Sequence, residues 1–178
     1  TLWCGDNPLT SVNVSNNTAL QELRCHSNQL TSLDVSANTA LNVLSSDYNQ
    51  LTSLDVSANT ALVELRCNNN ELFHLNMKNG VTDQLTNFNA TDNSLDCIET
   101  LDPAYATENW TYENGNIDEG VEFSVVCDLE DYTYVPDNNF EQALIDLDYD
   151  EVLDDHVLTA NISGVTSLDV SDKGISDL

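Results

Sequence analysis

Three cysteines share one register. Cys4 and Cys25 are 21 residues apart, and Cys67 follows 42 later, with Ser46 on the skipped step. Thiols so placed serve as small apolar core groups, as a strained bridge between Cys4 and Cys25, or as metal ligands. Neighbouring steps offer no histidine or second thiolate at the right angle, so the core reading leads. A second grouping is the acid run Asp146-Leu147-Asp148-Tyr149-Asp150-Glu151. Its three aspartates match positions one, three and five of a helix-loop-helix calcium loop. Glu151 stands where that loop needs its turn glycine, and Val157 where it needs its bidentate acid. The expectation is a solvated acidic turn. No cofactor or metal is expected, beyond weak calcium binding that the sequence does not localise.

Catalytic chemistry finds no support in the motifs. The sequence has no G-x-S-x-G, no H-E-x-x-H and no phosphate-cradling glycine loop. His26, His74 and His156 have no nucleophile paired with them in the linear pattern. The chain is read as a non-enzyme. Thirty-one acids against 4 Lys plus Arg give a formal net charge of −27. That charge excludes a nucleic-acid footprint and charge-driven docking on an anionic membrane. Apolar stretches such as 121–126 are far too short to cross a bilayer, so no membrane insertion is expected. A hydrophobic share of 40% is ample for a core. The opening residues lack a charged region followed by an apolar one, which reads as no signal peptide on this stretch.

The elements that position these groups are set by an internal repeat. Leu9, Leu30 and Leu51 open successive 21-residue units, and a looser 23-residue unit opens at Leu72. Within each runs L-x-x-L-x-(C/S/A)-x-x-N-x-L: Leu20, Leu23, Cys25, Asn28, Leu30 is the first full copy, and Leu85, Phe88, Ala90, Asn93, Leu95 the last. This pattern resembles the leucine-rich repeat family. Its LDVSANTAL units are similar to those of secreted, cell-surface proteins from Bacteroidetes- and Flavobacteria-like bacteria. One such coil cannot enclose its own leucines, but stacked coils bury a continuous apolar ladder. The L-x-L alternation predicts parallel strands about 4.8 Å apart. The asparagines at 7, 28, 49, 70 and 93 are expected to pair turn amides that would otherwise be buried unmet. A second series, such as Leu30, Leu33, Val35, Asn38, predicts an extended convex side with no room for full helices. The fold class is mainly β: a leucine-rich repeat solenoid with parallel concave strands.

Three segments follow. Residues 1–95 are the array, beginning inside a repeat. Residues 96–130 are read as its C-terminal cap, with Trp110, Phe123 and Val125 packed over the last coil. The resemblance implies a secreted chain, and in that setting Cys97 and Cys127, both off the ladder, are expected to form a disulfide. Residues 134–178 look like the N-terminal cap helix, at about 138–147, and first repeat of a second, truncated unit, with Asp137 or Asn138 as the helix cap.

Solenoids present long concave surfaces suited to binding. Stepping along the repeat aligns Trp3, Arg24, Ser45, Arg66 and Asn89 in one outward row. Glu22, Val43, Glu64 and Asn87 form the row beside it, and His26, Asp47, Asn68 and Thr91 the row beyond, with Tyr48 next to Asp47. The expected ligand-binding residues are Trp3, Glu22, Arg24, His26, Asp47, Tyr48, Glu64, Arg66 and Asn68. The patch is expected to receive an anionic or sugar-like group; the plainer alternative is that the arginines only balance Glu22 and Glu64. The functional expectation is a non-catalytic extracellular recognition or adhesion module binding protein or glycan at a bacterial cell surface. Alternatives are a rigid acidic spacer in a large surface protein, or an accessory module of a carbohydrate-active enzyme. Further domains of the same longer chain are expected.

Overall fold

The computed structural model describes residues 1–127, 132–135, 137–150 and 156–175. The chain divides into two compact units, Thr1–Cys127 and Asp128–Leu178.

The first unit is a parallel-strand solenoid. Strands β1 (Leu2–Trp3), β2 (Glu22–Arg24) and β3 (Val43–Ser45) come from the first coils. β4 (Ser53–Asp55) opens the opposite side, followed by β5 (Glu64–Arg66), β6 (His74–Asn76) and β7 (Asn87–Asn89). Strands β1, β2, β3, β5 and β7 form a five-stranded parallel sheet. Its register carries the repeat directly, pairing Leu23 with Leu44, Leu44 with Leu65 and Leu65 with Phe88. These side chains point inward and are buried, as are Leu30, Leu51, Leu62 and Leu72. Each fully buried leucine contributes about 1.5–3 kcal/mol against exposure. The 23-residue coil accommodates its extra residues in a 3-10 turn, Thr82–Gln84, while β5 and β7 stay in register.

The asparagine ladder closes each turn. Asn28 Oδ1 accepts from the Leu9 amide at 3.1 Å, and its Nδ2 donates to the carbonyls of Cys4, Cys25 and His26. Asn49 and Asn70 repeat this pattern. A companion ladder runs on the other side, where buried Asn38 donates to Val14 and Asn17 and buried Asn59 to Val35 and Asn38. One residue per coil adopts left-handed backbone: Asp6, Ser27, Tyr48, Asn69 and Asp92, with φ of 53–56°.

The segment expected as a cap is partly further coil. β8 (Cys97–Glu99) and β9 (Glu122–Ser124) join β4 and β6 in a second, four-stranded parallel sheet. Cys97, read from sequence as off the ladder, therefore opens a strand. Between β8 and β9 lies helix α1 (Pro103–Asn109), started by Pro103 and by Asp102, which accepts from the Tyr105 amide. Trp110 follows and is buried against Phe88 and Phe123, at ring-centroid distances of 4.5 and 5.8 Å. Val126 is buried in this region, whereas Val125 is half-buried. The open edge of the five-stranded sheet is met here as well. Asn116 donates to the Phe88 carbonyl while its own carbonyl accepts from Ala90, and Asp118 accepts from the amides of Asp92 and Asn93. Unpaired edge amides are thereby satisfied. A disulfide joins Cys97 to Cys127.

The second unit contains β10 (Tyr132–Tyr134), helix α2 (Asn138–Asp146), β11 (His156–Leu158) and the short α3 (Thr159–Ile162). β10 and β11 pair antiparallel. Asp137 caps α2, accepting from the amides of Asn139 and Phe140. Val135, Leu144 and Val157 form a small core flanked by Phe140, Tyr149, Ile162 and Leu168. Asp146 accepts from Lys173 at 2.9 Å and from Gln142, and the Lys173 bond first, then Gln142, hold its carboxyl below the usual aspartate range. Asp169 accepts from the amide and hydroxyl of Ser171, the same turn that Asp34 makes with Ser36 in the first unit. Glu151, named above with the acid run, lies outside the described residues.

Candidate functional site

Strand pairing places the expected rows on the outward face of the five-stranded sheet. Trp3 lies beside Arg24, Arg24 beside Ser45, Ser45 beside Arg66 and Arg66 beside Asn89. Glu22, Val43, Glu64 and Asn87 form the adjacent row. Backbone hydrogen bonds step the third row along, from Ser27 to Asp47, Tyr48 to Asn68 and Asn69 to Thr91.

The two arginines behave differently despite identical Glu-Leu-Arg-Cys settings. Arg24 Nε sits 2.6 Å from Glu22 Oε1, and its Nη1 reaches 3.8 Å from Glu64 Oε1, two strands away. Between them stand only Val43 and the small, buried Ser45, so the guanidinium has a clear path. Arg66 has no carboxylate within 4.0 Å among the described residues. The Arg24 hydrogen bond is the first cause holding the Glu22 carboxyl below its ordinary range; Trp3 and Thr1 add to it. Both arginines merely balancing their own glutamates is thus not what is found. One arginine takes two glutamates and the other takes none.

The third row is more buried than its outward register predicts. Asp47 is 5% exposed and accepts from the Ser45 hydroxyl at 2.6 Å. Asn68 is buried, with no partner for its Oδ1 among the described residues. Tyr48 and Trp3 stand out from the surface, at 55% and 70% exposure.

His26 links coils. Its Nε2 lies 3.5 Å from Asp6 and its Nδ1 3.5 Å from the Ser45 hydroxyl. That hydroxyl donates to Asp47 at 2.6 Å. Gly5 occupies the step before His26 in the third row, and a Cβ there would stand 2.6 Å from the imidazole. An open depression of about 400 Å³ lies beside them, lined by Trp3, Gly5, Asp6, Arg24 and His26. Gly5 and Asp6 were missed by the sequence reading. The signal was available: Gly5 is the one member of its row without a side chain.

The inward cysteines are separate from this surface. Cys25 and Cys67 are buried free thiols and Cys4 is half-buried. Burial pushes Cys25 up to about 12, with Cys4 and Asp47 adding to the shift, and pushes Cys67 further up. On the other sheet, Glu99 stands 3.2 Å from Lys78 and 3.8 Å from His74. It also accepts from the Cys127 amide, which ties it to the disulfide end. Among the described residues, no three His, Cys, Asp or Glu side chains converge as a metal site.

The array is a leucine-rich-repeat-like solenoid. No family model matches the chain, and no curated protein does. One solved structure similar to it is described as the functional domain of InlJ from Listeria monocytogenes, which includes a cysteine ladder. Identity is 35% and the TM-score 0.49, over 56% of this chain and 24% of that one. This chain therefore spans well under two thirds of that structure's length.

Proposed function

We propose that the chain is a non-catalytic extracellular recognition module that binds through the outward face of its five-stranded sheet. A single contrast carries this reading. The segment LTSLDVSANTAL stands unchanged at 30–41 and again at 51–62, and inward leucines recur at every step. The outward strand residues do not follow that constancy: Trp3, Arg24, Ser45 and Arg66 succeed one another, with the Glu-Arg pair of coil two returning only in coil four. Packing dictates the inward positions, Leu33, Val35, Asn38 and Leu41 among them, and places no such demand on the outward strand positions. A preformed surface also binds with little ordering cost. Secretion to the cell surface is part of the proposal; the Cys97–Cys127 disulfide supports it, since such bonds persist in oxidising compartments. No helix among the described residues is long and apolar enough to cross a membrane. The proposal also takes residues 134–178 as the opening of a second repeat unit, on the strength of the shared Asp-Ser turn.

A second reading has its own observation. Arg24 held between two glutamates, and a third row sunk into the surface, suit an acidic spacer that binds nothing. Arrays of glycans and of extracellular protein segments separate the two. A ligand of this face loses at least about tenfold, near 1.4 kcal/mol, with Arg24→Ala plus Arg66→Ala. Unchanged binding by that double variant, with its circular dichroism intact, moves the site elsewhere and favours the spacer.

A further inference from the structure

We infer that the notch at Gly5 is a subsite for one ring of a neutral saccharide; this rests on the strand-face reading above and names its ligand class. Every other described coil fills this row with a side chain: His26, Asp47, Asn68 or Thr91. Gly5 brings no side chain to the row, and the His26 ring leans into that place, 2.6 Å from where a Cβ would stand. The open depression beside them is about 400 Å³, room for one ring lying against the surface.

Its walls match a sugar ring. Trp3 is 70% exposed. An aromatic face of this kind packs against the C–H face of a pyranose. The polar groups beside it lie on planar side chains of both kinds. Asp6 accepts, the Arg24 Nη groups donate, and His26 does either. Vicinal hydroxyls, each donor and acceptor at once, meet that mixture.

Other ligand classes fit less well. An anion faces one guanidinium already held by Glu22 and Glu64, with the Asp6 carboxylate on the rim. A purely apolar group leaves Asp6 and Arg24 desolvated without partners, which is costly. A cation meets the Arg24 guanidinium in the wall. A neutral polyol avoids all three conflicts.

The test is titration of the 178-residue protein with neutral gluco-, manno-, galacto- and xylo-oligosaccharides by calorimetry and saturation-transfer NMR. At least one series binds, with sugar ring protons receiving saturation from the indole. Trp3→Ala and Gly5→Ala each weaken it by at least about tenfold, and Arg66→Ala by less than about twofold. Gly5 is outside the left-handed region, so alanine strains only the His26 ring. Trp3→Ala, at an exposed position, tests the site without that displacement. No binding by any series at about 10 mM overturns the inference. So does binding that survives both notch variants. Should another ligand class be lost in the arginine double variant while no saccharide binds, the strand-face reading stands and the saccharide subsite falls.

Discussion

Arg24 reaches across strand β3 to place its Nη1 3.8 Å from Glu64 Oε1, while its Nε holds Glu22 at 2.6 Å. The reach depends on Ser45, the small residue between them in the same row. Arg66 lies beyond that bridge and keeps an unpaired guanidinium among the described residues. Two copies of one four-residue motif thus present different chemistry.

The Glu22 carboxyl reports the bridge. Its hydrogen bond from Arg24 lowers the pKa, so Arg24→Ala should raise the Glu22 midpoint toward the ordinary glutamate value. Arg66→Ala should leave it in place. A depressed carboxyl stabilises the fold above its unfolded pKa, and that contribution is lost as pH falls through the folded value. Arg24→Ala should therefore remove part of the acid sensitivity in the pH range just below the ordinary glutamate pKa. Carbon-detected NMR titration of the wild type and the two variants checks both statements. A Glu22 midpoint unmoved by Arg24→Ala would contradict the assignment.

The five cysteines should separate into three classes. Cys97 and Cys127 resist alkylation until reduced, half-buried Cys4 reacts slowly in the folded protein, and buried Cys25 and Cys67 react only on unfolding. Cys25 ionises at about 12 when folded against an ordinary 9.0, so the folded state retains its proton longer. Stability is flat below that ordinary value and declines as pH rises from 9.0 toward about 12. Alkylation followed by mass spectrometry should count three thiols in unfolded, unreduced protein and five after reduction. Serine at both Cys97 and Cys127 opens a loop of 30 residues and should cost about 3–4 kcal/mol by the chain-entropy estimate.

Much of this was legible in the sequence because the repeat writes its register into the leucines. The inward rows, the asparagine ladder and the disulfide pair all follow from position alone or from position with the resemblance. The pairing of Arg24 was not legible. It turns on which rotamer spans two strands, and identical Glu-Leu-Arg-Cys segments carry no sign of the difference. The depth of Asp47 was hidden too, since alternation marks it as outward and says nothing of the hydroxyl of Ser45 folding over it. The strand at Cys97 escaped although Leu95 and Ile98 keep the spacing of Leu51 and Leu54; Thr100 in place of the apolar Val56 hides the series, while backbone pairing continues the second sheet there.

Asn49 shows how much one inward amide carries. Its Oδ1 accepts from the Leu30 amide at 3.0 Å, and its Nδ2 donates to the carbonyls of Cys25, Ser46 and Asp47. Asn49→Ala leaves a turn amide and several carbonyls unmet, and should cost about 2–4 kcal/mol. Asn49→Asp keeps the acceptor but loses the donors and adds a charge, so it should not rescue. Urea denaturation followed by circular dichroism measures both. A loss under about 0.5 kcal/mol for the alanine variant would show the ladder to be ornamental.

Tyr48 is the position where stability and recognition pull apart. Its φ of 54° is left-handed, and the equivalent residues in other coils are Asp6, Ser27, Asn69 and Asp92. Asparagine and aspartate tolerate that conformation, whereas a bulky aromatic is strained there by about 1 kcal/mol or more. The ring is 55% exposed, so burial returns little of this cost. Tyr48→Asn should therefore stabilise the solenoid by about 1 kcal/mol, seen as a higher urea midpoint at unchanged slope. If the strand face is a binding surface, the same variant should weaken its ligand, because an exposed aromatic at the rim is removed. A spacer has no such opposition: Tyr48→Asn then raises stability and changes nothing else. Measuring the urea midpoint and the array signal on one preparation decides between them, and a variant that gains neither stability nor loses binding would remove Tyr48 from the proposed surface.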